Sequence, residues 1–169
     1  KRKYREYQEQ EKKLNPADNE VYISDSGIFT DNLVEWEDEE YQAFLKNNLL
    51  PNISQQLKIS PDRIDIFYNH IFDYKEGGHA IPHTHQHAED FVSIIYLTDV
   101  KEGGRTIFYL NDGKDCKNSE ERKEFRERTT VKFVASERHG VIFSSMLEHE
   151  AELTTERKLV FVVGIKVKT

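Results

Sequence analysis

The densest chemistry in the chain is His83–Thr84–His85–Gln86–His87, three histidines at alternate positions. On an extended segment alternate side chains share a face, so these imidazoles point the same way. A row of neutral imidazoles is a metal-binding arrangement, and Glu89 and Asp90 follow at once as carboxylate candidates. A first-row metal also needs a ligand from elsewhere in the chain. His149, just past the apolar run of Val141, Ile142 and Phe143, is the candidate; His139, before Gly140, competes with it but reads as a surface turn. Eight residues past His149 comes Arg157, which opens a strand over 158–163. A buried arginine beside an open metal site would pair bidentately with a carboxylate of a small anionic ligand.

Composition narrows the class. The chain has 169 residues, a single cysteine, seven histidines and a formal charge of −7. This length suits one domain with one core, burying roughly 70% of the surface of the unfolded chain. Cys116 alone can form neither an internal disulfide nor a cysteine-based zinc site, which points to a reducing, cytoplasmic setting. Acidic charge with interspersed Lys and Arg gives no surface for nucleic acid. No apolar run approaches the ~18 residues that span a bilayer, so a soluble protein with no membrane partner is expected. The opening residues lack an initiator Met and any apolar stretch, and read as a trimmed or processed start and not as a signal peptide.

The elements that must position the histidines follow from periodicity. Residues 1–20 read as a charged helix or tail ahead of a single domain over 21–169. Tyr41, Phe44, Leu45 and Leu49 form one stripe of a helix over 38–50, which Pro51 should end, with a shorter helical piece over 53–57. From Arg63 the period changes to two. Ile64, Ile66, Tyr68, His70, Phe72 and Tyr74 then share one face of a strand. Short strands are expected over 91–98, 105–110, 130–135, 139–145 and 158–166, and a charged insertion over 111–128, where twelve of eighteen residues are charged, interrupts them. The insertion reads as a flexible or helical excursion or as a substrate lid. Helices followed by many short strands give an α+β fold, with helices packed on one side of a sandwich or barrel.

These residues carry a family resemblance. The segment 74–85, with Tyr74, Gly77, Gly78, Pro82, His83 and His85, resembles the Tyr-x-x-Gly-Gly-x-x-x-Pro-His-x-Asp segment of prolyl 4-hydroxylase-like Fe(II)/2-oxoglutarate dioxygenases. The segment 96–108, with Tyr96, Asp99, Val100, Gly103, Gly104, Thr106 and Phe108, resembles their Tyr-x-x-Asp-Val-x-x-Gly-Gly-x-Thr-x-Phe turn, and Gly140, Phe143, His149 and Arg157 resemble the closing block. The resemblance covers about residues 64–166. It implies a double-stranded β-helix, or jelly roll, with Fe(II) at its open end and 2-oxoglutarate and dioxygen as cosubstrates, ascorbate being an optional reductant. Carried over, His83 and His149 are metal ligands, Arg157 anchors the far carboxylate of 2-oxoglutarate, Tyr96 and Tyr74 add hydrogen bonds and Thr106 lines that pocket.

The chain departs from the pattern at His85, which stands where the family has Asp. Either His85 completes the metal set, or Glu89 or Asp90 does, with His87 replacing His83 in a shifted register. The expected reaction is hydroxylation of a C–H bond in a peptidyl or small-molecule substrate, a prolyl residue being the leading guess, with release of succinate and carbon dioxide. The alternative is a cupin-like β-barrel that binds metal through histidines without 2-oxoglutarate. An Arg157 turned to solvent would favour that alternative.

Overall fold

The structure is a computed structural model and describes residues 27–29, 32–85, 89–110 and 130–169. The charged segment at 1–20, the body of the insertion at 111–128, and His87 lie outside the described residues.

Two antiparallel sheets face each other. The larger contains β1 (Gly27–Phe29), β2 (Ile64–Tyr74), β9 (Lys158–Val167), β4 (Phe91–Tyr96) and β7 (Gly140–Ser144), in that order. The smaller contains β3 (Ala80–His83), β8 (His149–Ala151), β5 (Thr106–Tyr109) and β6 (Thr130–Phe133). Tyr74, Val92, Ile94, Tyr96, Phe143, Val160 and Val162 of the larger sheet close on Ala80 and Phe108 of the smaller one. The opposite face of the larger sheet, through Ile64, Phe161, Val163 and Ile165, packs on Leu45, Leu49 and Ile53 of the helical segment. β9 is therefore covered on both faces, which explains its near-continuous apolar run. Two facing antiparallel sheets with helix packed on one of them fit a jelly roll. Among the described residues no helix is long and apolar enough to cross a membrane.

Pro51 does not end the helix. α1 (Glu39–Phe44), capped by the Asp38 side chain, runs through a π-helical turn at Leu45–Leu49 into α2 (Leu50–Leu57), in whose first turn Pro51 sits. The π turn directly before it, closed by the Leu50 N–H on the Leu45 carbonyl, widens the helix where the proline ring and its missing N–H must be accommodated. The segment stops at Lys58, whose backbone is left-handed at φ 56°.

β2 also departs from simple alternation. Its pairing with β9 slips between Ile66 and Tyr68, so that Phe67 is an extra residue in the strand. Ile64 and Ile66 pack toward the helices, whereas Tyr68, Phe72 and Tyr74 pack between the sheets. The bulge thus reverses the face presented by every later residue of the strand.

Candidate metal centre

His83 closes β3 and His149 opens β8, where the two are directly opposed in the pairing of the strands. His85 follows two residues after His83, its backbone N–H donating to the Ser145 carbonyl at 2.8 Å. One ring nitrogen from each of the three histidines falls within 4.8 Å of the others. His83 Nδ1 lies 2.7 Å from the Ile81 carbonyl oxygen and His149 Nδ1 lies 2.9 Å from that of Leu147. A carbonyl only accepts, so each of these Nδ1 atoms carries the proton and each Nε2 keeps its lone pair. His85 Nε2 and His149 Nε2 face each other at 3.3 Å. Two nitrogens bound at right angles to one ion, each about 2.1 Å from it, stand ~3 Å apart, so this pair is spaced for a divalent transition metal, with the His83 nitrogen close by as a third imidazole donor. Burial, reinforced by His83 and His85, pulls the His149 pKa down to about 3, which keeps it the neutral ligand form.

Behind His85 stands a carboxylate. His85 Nδ1 is 3.1 Å from the Tyr68 hydroxyl and 3.3 Å from Glu89 Oε1, and Tyr68 donates to the same Glu89 oxygen at 3.0 Å. Burial and then the charge of Glu89 push the Tyr68 phenol up, so it remains a donor. Gly164 on β9 makes room for the Tyr68 ring, since a Cβ there would fall 2.3 Å from a ring carbon. Glu89 accordingly meets the far nitrogen of His85. Asp90 is committed elsewhere, its carboxylate accepting the Val167 N–H at 2.7 Å. His139 is exposed in a turn with Nδ1 at 3.1 Å from the Glu137 carbonyl.

The expected cosubstrate residues divide. Tyr96 is fully buried on β4 and its hydroxyl meets Thr106 Oγ1 at 2.6 Å, with burial pushing the phenol up. Tyr74 is buried in the same core. Arg157 is placed differently from the expectation. Its side chain is 61% exposed and forks onto Asp73, with Nε–Oδ1 at 2.9 Å and the second nitrogen at 2.7 Å from Oδ2. The inward cation is its neighbour Lys158, only 1% exposed, with Nζ 4.4 Å from the centre of the Tyr74 ring. Lys158 Nζ donates to the Gly104 carbonyl at 3.1 Å. Gly104, at φ 64°, brings that carbonyl in where a Cβ would meet Val100, Thr154 and the lysine stem. Burial lowers the Lys158 pKa to about 8, against a smaller upward pull from Glu152.

The different placement of the two neighbouring cations has a simple origin. In β9, Val160 and Val162 face between the sheets while Phe161, Val163 and Ile165 face the helices. Lys158 shares the first parity and Arg157 the second. That alternation is visible in the sequence and could have shown which of the two cations points between the sheets. Tyr68 gave no such signal, because the bulge that turns it inward leaves no mark in the periodicity.

No family profile and no curated protein matches the sequence. Solved structures do match the fold. A prolyl-4-hydroxylase from Pseudomonas putida superposes with a TM-score of 0.60 at 16% identity, covering 96% of this chain and 82% of that one. HygX from Streptomyces hygroscopicus, solved with nickel and 2-oxoglutarate bound, gives 0.60 at 11% identity over 96% and 77%. The non-heme alpha-ketoglutarate-dependent epimerase SnoN, from nogalamycin biosynthesis, gives 0.62 at 10% over 84% and 62%. The chain thus shares its fold with a prolyl-4-hydroxylase, with a protein that binds nickel and 2-oxoglutarate and with an alpha-ketoglutarate-dependent epimerase.

Proposed function

We propose that this chain is an Fe(II)- and 2-oxoglutarate-dependent dioxygenase built on a double-stranded β-helix, hydroxylating a C–H bond of a peptidyl or small-molecule substrate. The observation that carries the reading is the convergence of one ring nitrogen each from His83, His85 and His149 within 4.8 Å, in a protein that also buries a lysine against the Tyr74 ring. The fold shared with 2-oxoglutarate/Fe(II) oxygenases supports it.

His83, His85 and His149 would hold the metal through Nε2, their Nδ1 protons fixed by the groups behind them. Lys158 takes the role first expected of Arg157. Its ammonium, set under the Tyr74 ring and beside the Gly104 carbonyl, draws the far carboxylate of the keto acid inward. Tyr96 and Thr106 form a hydrogen-bonded wall of the same pocket, and Phe108 and Phe143, packed on the His149 ring, keep water from it. When bound, Fe(II) with 2-oxoglutarate and dioxygen supplies the oxidation: the keto acid is decarboxylated to succinate and carbon dioxide while one oxygen atom enters a substrate C–H bond. A prolyl side chain is the first substrate to try.

The exposed Arg157 would have favoured a barrel that binds metal without 2-oxoglutarate, but the buried Lys158 provides the cation such a barrel does not need. The experiment is an anaerobic titration of the Fe(II)-loaded protein with 2-oxoglutarate. A weak visible charge-transfer band that saturates with the keto acid is expected, followed by succinate formation on admission of air with substrate. Absence of the band at saturating Fe(II) would overturn the reading.

A further inference from the structure

The three candidate ligands are not supported alike. His83 and His149 lean on neutral carbonyls, whereas His85 Nδ1 stands 3.3 Å from the Glu89 carboxylate, whose side chain is 4% exposed. A buried carboxylate carries a large desolvation cost unless positive charge or several donors compensate. Here Tyr68 donates to it, and the Tyr68 ring is itself seated by the bulge at Phe67 and the space left by Gly164. Three neutral imidazoles leave a divalent ion with its full charge, so the nearest fixed negative charge governs how tightly the ion is held.

We propose that Glu89 is a positioning residue for the metal centre: with Tyr68 it holds His85 with Nε2 toward the ion and, through that imidazole, supplies the negative charge that no ligand of the set carries. The proposal rests on the reading of the three histidines as metal ligands. Glu89 orients the ring, fixes the proton on Nδ1 and strengthens Nε2 as a donor. It also stabilises the more highly charged state of the ion, so its charge matters as well as its shape.

The test uses Co(II) alone, without 2-oxoglutarate, on the full chain, following the visible ligand-field spectrum and the dissociation constant. Wild type should bind one Co(II). Glu89→Gln, which keeps the shape and removes the charge, should bind ~10- to 100-fold more weakly with an altered spectrum. Tyr68→Phe should lose less, by about 3-fold, since the carboxylate remains. His85→Asp places a carboxylate in the ligand set itself, and in that background Glu89→Gln should cost less than about 3-fold. Equal losses in the two backgrounds would show a merely structural role and overturn the proposal, as would Glu89→Gln binding like wild type. Failure of wild type to bind Co(II) would instead overturn the reading of the metal centre on which the proposal stands. Thermal unfolding of each metal-free variant identifies any that misfold, and Tyr68→Phe carries the test if His85→Asp does.

Discussion

Arg157 and Lys158 are consecutive in the chain yet serve opposite sides of the larger sheet: Arg157 forks onto Asp73 and stays largely exposed, while Lys158 is buried between the sheets. Two variants separate their roles. Lys158→Met keeps the stem and removes the charge, and losing one partner of a buried charge pair costs ~2–5 kcal/mol, so 2-oxoglutarate affinity should fall by at least about 30-fold. Arg157→Ala should leave that affinity unchanged and lower stability by about 1 kcal/mol through the loss of the Asp73 pair. Calorimetric titration with 2-oxoglutarate and urea unfolding read the two effects.

The role proposed for Lys158 carries a pH dependence. Its pKa lies near 8, below the ordinary lysine value, because burial disfavours the ammonium. Only the protonated form attracts a carboxylate, so binding of 2-oxoglutarate should be nearly constant below about pH 7 and weaken toward tenfold per unit above pH 8. Lys158→Arg keeps its charge throughout and should flatten the profile. Dissociation constants measured from about pH 6 to 10 check this, and an unchanged slope in the arginine variant would remove Lys158 from the binding site.

Gly164→Ala tests the seat of Tyr68. A methyl group there would enter the Tyr68 ring, and overpacking of this kind costs ~1–3 kcal/mol. Metal affinity should fall with stability, because a displaced ring no longer braces Glu89 and His85. Urea unfolding of the metal-free variant and a Co(II) titration are the measurements.

The parts of the site that the sequence displays are those set by short-range periodicity. His83 and His85 share a face because two residues separate them, and the turn at Gly103 and Gly104 is legible from its two glycines. The parts it conceals depend on parity carried across an irregularity. One extra residue at Phe67 turns Tyr68 inward and sends Ile64 and Ile66 to the helices, although all three belong to one uninterrupted alternation. Glu89 was readable as a carboxylate near the histidines, but only its folded position, beside His85 Nδ1, separates a candidate ligand from a group behind an imidazole. Pro51 shows the same limit, since the π turn before it makes a usual stop signal into the first turn of a new helix.

The direct opposition of His83 and His149 has a mechanical consequence. β3 is four residues long, lies at the edge of its sheet and is irregularly paired between Ala80 and His83. Such an edge is the part of a sheet that frays first. An ion shared by the two histidines would act as a clasp, pinning the loose end of the strand to its neighbour. Occupancy of the metal site would then be written in the amide exchange rates of Ala80, Ile81 and His83, slow when loaded and fast when empty, and protease attack at this edge would mark the molecules that have lost their metal.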